Sequence, residues 1–199
     1  MQSFAPFSLA LFIGFSTLAS AAEPAAKPAD PSSAEADEPQ AKTIDKLYQR
    51  LARTLYPDEA VGILQAIDQE RMRSGSDTAD LLMSRAVQAR SGADLPLALQ
   101  LFDSVVDLYP DWSEAWSERA TTRFQLGDVN GAMGDIGETL KREPRDIGAL
   151  AGLGAILLDT GDPEAALKVY DRALKLAPAY EPLKEARARA QTRVWSRSP

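Results

Sequence analysis

The side chains that most often carry chemistry are missing from this sequence, which has no histidine and no cysteine. Without histidine there is no imidazole to act as general base or metal ligand. Without cysteine there is no thiolate nucleophile, no disulfide and no thiolate metal site. Ser-His-Asp, Cys-His and histidine-based zinc chemistry are excluded outright, leaving carboxylates, lysines and tyrosines. No pair of acids stands apart from the charged faces of its helices in the way a glycosidase or proton-transfer site requires. The chain therefore reads as a non-enzyme with no metal and no cofactor. Its net charge of −7 would repel a phosphate backbone, so nucleic acid is not an expected partner.

Two arginines do stand out, because Arg85 and Arg119 recur at a fixed distance of 34 residues. A repeated guanidinium has two uses. It can pair with a carboxylate on an adjacent helix, for which Glu118, Asp103 and Asp135 are available, or it can grip a ligand carboxylate bidentately. Which use applies depends on the elements that carry the two side chains.

Those elements repeat. Pro110, Pro144 and Pro178 are also 34 residues apart, an alanine lies 12 residues before each (Ala98, Ala132, Ala166), and a bulky apolar residue lies 8 before each (Phe102, Ile136, Tyr170). A period of this length marks a stacked array of helix hairpins rather than one globular core. Small residues let two helix axes approach, and the large residue fills the gap towards the next unit. Gly127 and Gly161 supply helix-ending turns, and each proline stops the second helix of its unit. No such hairpin buries its apolar face alone, so stability must come from stacking.

The pattern resembles the tetratricopeptide repeat (TPR) family, written W-x2-L-G-x2-Y, A-x3-F, P. Residues 145–178 carry it as Leu150, Leu153-Gly154, Leu157, Ala166, Tyr170 and Pro178. Residues 111–144 carry it as Trp116, Arg119-Ala120, Arg123, Ala132, Ile136 and Pro144, and residues 77–110 as Leu82, Arg85-Ala86, Ala89, Ala98, Phe102 and Pro110. Arg85 and Arg119 thus replace the family's usual aliphatic residue. The resemblance implies an all-α fold, a TPR-like right-handed helix-hairpin solenoid of about three repeats.

It also implies a concave face, lined by the first helix of each unit, that binds an extended or helical peptide. Mapped by phase, the candidate lining residues are Met83 and Val87 from the first unit. Glu114, Ser117, Glu118, Thr121 and Gln125 come from the second, and Ala151, Gly152, Ala155 and Leu158 from the third. Family members that clamp a C-terminal carboxylate use Lys, Arg and Asn there. Here those positions hold Met83, Val87, Glu118, Gly148 and Gly152, so the clamp is absent. The helix expected over 147–159 is apolar on nearly every side, and a helix greasy all round is normally covered all round. Its groove side must meet the N-terminal hairpin, a second copy or a partner.

Outside the repeats, Phe7 to Leu18 form a short apolar run followed by Ala19 and Ala21 at signal-peptidase spacing, although the first six residues carry no Lys or Arg. A signal peptide over 1–21 is expected, cleaved after Ala21 or Ala22, and with it a periplasmic or secreted location and no integral span after cleavage. Residues 22–41, rich in Ala, Pro and acid, read as a disordered tether. Residues 42–76 read as a degenerate helical hairpin with stripes at Ile44, Leu47, Tyr48, Leu51, Leu55 and at Ala60, Ile63, Leu64, Ile67. Residues 179–199 read as a capping helix and tail whose basic face solvates the end of the stack; an anionic membrane or an acidic partner is the other use of such a face. The expected function is an exported protein-protein interaction scaffold. Envelope assembly factor or holdase-like accessory is the alternative, and a carboxylate enzyme comes last.

Overall fold

The computed structural model describes residues 31–196. The expected signal peptide and the start of the tether lie outside the described residues. Those described form nine helices and no strand. α1 (Pro31–Leu51) and α2 (Pro57–Arg71) make the N-terminal hairpin. α3 (Asp77–Ser91) and α4 (Leu95–Leu108), α5 (Ser113–Gln125) and α6 (Val129–Arg142), and α7 (Ile147–Asp159) and α8 (Pro163–Leu176) make three further hairpins, and α9 (Glu181–Trp195) ends the stack. The expected tether over 22–41 differs from this: the chain is helical from Pro31 onward. Pro31 is the first helical residue, where a missing N–H costs nothing, and the Ala, Glu, Gln and Lys that follow are good helix formers. Pro39 falls inside α1, where it gives no N–H to the ladder, so propensity alone does not account for this helix.

The three central hairpins are built by the same local chemistry. Asp94, Asp128 and Asp162 each cap a second helix by accepting the N–H of the residue three ahead, at 3.2, 2.9 and 3.0 Å. Just before each cap the backbone turns left-handed, at Ala93 (φ 63°), Gly127 (φ 81°) and Gly161 (φ 89°). The amides of Asp94, Asp128 and Asp162 then reach back to the carbonyls of Ala89, Arg123 and Leu157 at 2.8–2.9 Å, closing the previous helix. Ala93 does with strain what glycine does freely in the other two units. Each second helix stops two residues before Pro110, Pro144 or Pro178.

Packing follows the 34-residue register. Ala98, Ala132 and Ala166 have no exposed surface, and Phe102, Ile136 and Tyr170 are buried beside them. Two helices approach closely at Gly154, where a Cβ would lie 2.5 Å from the Tyr170 ring; only glycine fits there. Each second helix packs on the first helix of the next hairpin, α4 on α5, α6 on α7 and α8 on α9. Leu183, Ala186 and Ala190 bury one face of α9.

The N-terminal hairpin breaks this rule. α2 makes almost no backbone approach to α3. Instead Tyr48, Leu51, Ala60, Ile63 and Ile67 join one continuous hydrophobic cluster with Ile147, Leu150 and Tyr170 of the last hairpin. The hairpin has turned at Ser74-Gly75-Ser76, where Gly75 has φ 79°, and lies over the concave side of the array.

Candidate functional site

The first helices of the hairpins place one row of side chains on the concave side. α2 lies opposite that row. Between α2, α5 and α7 is a cavity of about 430 Å³. Small residues of α7, Gly148, Ala149, Gly152 and Ala155, form one wall. α5 contributes Glu114, Ser117, Glu118, Thr121 and Phe124, and α2 contributes Asp68, Arg71 and Met72. The apolar floor comes from Ile136 and Ile156. A Cβ at Gly152 would meet only the Ile136 side chain, at 3.7 Å, so this wall is open by choice of residue rather than by steric need.

Of the residues mapped to the groove from sequence, the cavity brings together Glu114, Ser117, Glu118, Thr121, Gly152 and Ala155. Others go elsewhere. Met83 is fully buried in the core of the α3–α4 hairpin and Val87 packs against that core, because this face of α3 turns inward. Ala151 packs against the cluster that joins α7 to the N-terminal hairpin. Leu158 is buried in that same cluster and borders a second cavity, of about 430 Å³, with Tyr170, Arg189 and Arg193. Gln125 is exposed at the end of α5.

Arg71 is the residue that sequence reasoning missed. It is buried, and its Nη2 lies 2.5 Å from Asp146 Oδ2 and 2.8 Å from Glu114 Oε2. Asp146 also caps α7 by accepting the Ala149 N–H at 2.8 Å. The Arg71 carbonyl accepts from Trp112 Nε1 at 2.8 Å. On the other flank Arg145 pairs with Asp45 at 2.7 Å and stacks over the Tyr48 ring at 4.4 Å. These contacts hold the N-terminal hairpin over the groove. The sequence did carry a signal: Arg71 continues the stripe Ala60, Ile63, Ile67 at helical spacing, so a charge sits on a face that must be buried.

Carboxyls dominate the electrostatics of the cavity. Burial pushes Glu114 up to about 8; Arg71 opposes this, and Asp146, Glu118 and Asp68 add to it. Burial also raises Glu118, against the pull of Arg90, with which it forms an ion pair. Desolvation by the surrounding groups also raises Asp68, although its own surface is exposed to solvent. Despite this crowding, no group of three or more acids among the described residues is arranged to hold a metal ion.

The two phase-matched arginines separate. Arg119 is buried and fully engaged: Nε and Nη2 donate to the two oxygens of Asp135 at 2.9 and 2.8 Å, and Nη1 donates to Asp103 at 2.9 Å. It faces the second helices, away from the cavity. Arg85 is exposed. The residues 16 before and after Arg85 are Gln69 and Leu101, where Arg119 finds Asp103 and Asp135, so neither equivalent position offers Arg85 a carboxylate. Trp116 is held between the guanidinium groups of Arg119 and Arg142, each 4.8 Å from its ring.

Comparison with known proteins agrees with this architecture. Residues 148–180 match the family model described as tetratricopeptide repeat. The chain is 40% identical over 136 residues to a TPR repeat-containing protein of Rhizobium etli, covering 68% of this chain and 67% of that one. Among solved structures it is similar to the first TPR of Spaghetti (RPAP3) bound to the HSP90 peptide SRMEEVD, at a TM-score of 0.56 and 19% identity over 58% of this chain and 92% of that one. It is similar also to the TPR2B domain of yeast Sti1 in complex with pHsp70, at a TM-score of 0.55 and 15% identity over 59% and 98% of the two chains. With the 34-residue register, the paired helices and the stacked prolines all in place, this chain is a member of the tetratricopeptide repeat family.

Proposed function

We propose that this protein is an exported interaction scaffold that binds a peptide or helix of a partner on the concave side of its TPR stack. One observation carries the reading: the cavity between α2, α5 and α7 is walled by glycine and alanine on α7 and by polar side chains on α5. A wall of that kind admits a backbone closely and offers groups to fix its register. Chains of the same fold take such partners: one is bound to the HSP90 peptide SRMEEVD and another is in complex with pHsp70. Export rests on the apolar run Phe7 to Leu18 and the Ala19-Ser20-Ala21 spacing. Among the described residues no helix is long and apolar enough to cross a membrane.

A photo-crosslinking residue at Thr121 or Ala155, compared with one at Lys168, tests the binding site. Thr121 and Ala155 are exposed on the cavity; Lys168 is exposed outside it. Defined partner adducts from the first two positions and none from Lys168 are expected. Equal labelling from all three would remove the concave side from the reading. Export is checked separately by sequencing the N-terminus of the mature protein, which should begin at Ala22 or Glu23.

A further inference from the structure

The cavity contains polar atoms that the protein itself leaves unsatisfied. Glu114 and Arg71 are both more than nine-tenths buried, and both line the cavity. Glu114 Oε2 accepts no hydrogen bond, although Arg71 Nη2 lies 2.8 Å away, and Arg71 Nε has no hydrogen-bond partner at all. Glu118, by contrast, is engaged by Arg90 as an ion pair. Buried groups in the condition of Glu114 and Arg71 are costly and call for a hydrogen-bonding partner, a water or a bound group.

Charge identifies the complement. Four carboxyls border the cavity, from Asp68, Glu114, Glu118 and Asp146, against Arg71 inside it and Arg90 at its edge. Asp146 is satisfied by its helix cap and by Arg71. The remaining excess is negative, and the Phe124 ring, 43% exposed, lines the same cavity. An aromatic face in one cavity with unmatched carboxylates suits a guanidinium better than an ammonium or an amide. Met72, Ile136 and Ile156 supply apolar contact for the flanking residues.

Resting on the peptide-binding reading above, we propose that the occupant of this cavity is a peptide segment carrying an arginine between apolar residues. Its guanidinium lies among Asp68, Glu114 and Glu118, and one of its backbone carbonyls accepts from Arg71 Nε. The raised Glu114 agrees with this, since a cation arriving beside it favours its charged form. A tail rich in acid, such as SRMEEVD carries in its last four residues, is the wrong complement for this cavity.

The test titrates the isotope-labelled full chain with three short peptides, Ac-Gly-Ser-Leu-Xaa-Leu-Ser-Gly-NH2, in which Xaa is Arg, Gln or Glu. Backbone amide shifts of Thr121, Gly148 and Gly152 are the readout. The arginine peptide should shift them and bind roughly fivefold or more tightly than the glutamine peptide, with the glutamate peptide weakest. Asp68→Asn, at an exposed residue without an ion pair, and Glu118→Gln should each erode that preference while circular dichroism stays unchanged. Should Glu118→Gln perturb the fold, the Asp68→Asn comparison alone decides. Equal binding of all three peptides at these amides overturns the arginine assignment and leaves the peptide site standing. Shifts confined to other parts of the array, or none with any peptide, overturn both.

Discussion

α5 and α7 each have one side facing the second helices of the stack and one facing the groove, and the two sides are built to different standards. On the packed side, Arg119 spends its donors on Asp135 and Asp103, and Gly154 lies so close to Tyr170 that no side chain fits. On the groove side, Arg71 keeps an unpartnered Nε, Glu114 Oε2 meets Arg71 as an ion pair but accepts no hydrogen bond, and Gly152 has room to spare. The same residue types appear on both sides. Satisfied and tight means structure; unsatisfied and open means that something else completes the site.

The largest effect should come from Arg119→Leu. It leaves Asp135, which is 2% exposed, with only Arg123 at 3.0 Å. Removing one partner of a buried ion pair costs about 3–5 kcal/mol, which lowers the melting temperature by roughly 10 °C in a domain of this size. Peptide binding at the cavity should not change. If melting is unaffected, the packed side is not the rigid one.

Next is Gly154→Ala, expected to destabilise by about 1–3 kcal/mol because the Tyr170 ring must move. Its groove-side counterpart Gly152→Ala should move the other way, gaining about 0.5–1 kcal/mol from helix propensity while narrowing the cavity and weakening peptide binding. Urea unfolding of both variants measures the contrast. Equal signs would erase it.

Glu114 gives the comparison a pH signature. Its folded pKa is raised, so the folded state holds the proton more tightly than the unfolded one. The associated stability is present below the usual 4.5 and is lost as pH climbs through about 8. Thermal melts across that window should show the loss, and Glu114→Gln should flatten it. A profile unchanged by the substitution would mean that Arg71 neutralises the carboxylate fully. The smallest effect belongs to Arg85→Leu, an exposed position without a carboxylate partner, where stability should change by no more than about 0.5 kcal/mol.

Much of the array was legible because its determinants are local. Pro110, Pro144 and Pro178 each follow the end of a second helix, an aspartate at a hairpin turn caps the helix that follows it, and alanine at one phase is buried in every unit. Half of the groove was legible for the same reason: Glu114, Ser117, Glu118 and Thr121 lie on the face that phase assigns them. Met83 and Val87 were misplaced, because phase identifies a face of α3 but not what covers it, and here the α3–α4 hairpin closes over them. Arg85 and Arg119 share a phase and differ in fate, because a side chain's role is set by the residues opposite it, and those differ between units.

By itself the sequence determined the hairpins, their period, their turns and the absence of histidine and thiol chemistry, since each depends on residue type and spacing within about 34 positions. Only the tertiary structure decided that the N-terminal hairpin leaves its own neighbour and crosses to the far end of the stack. The contact that marks this, Arg71 with Asp146, joins residues 75 apart. No local rule reaches that distance: such a contact forms because burying an apolar stripe against α7 and pairing a charge there is more favourable than stacking on α3, and that is a comparison between whole packings.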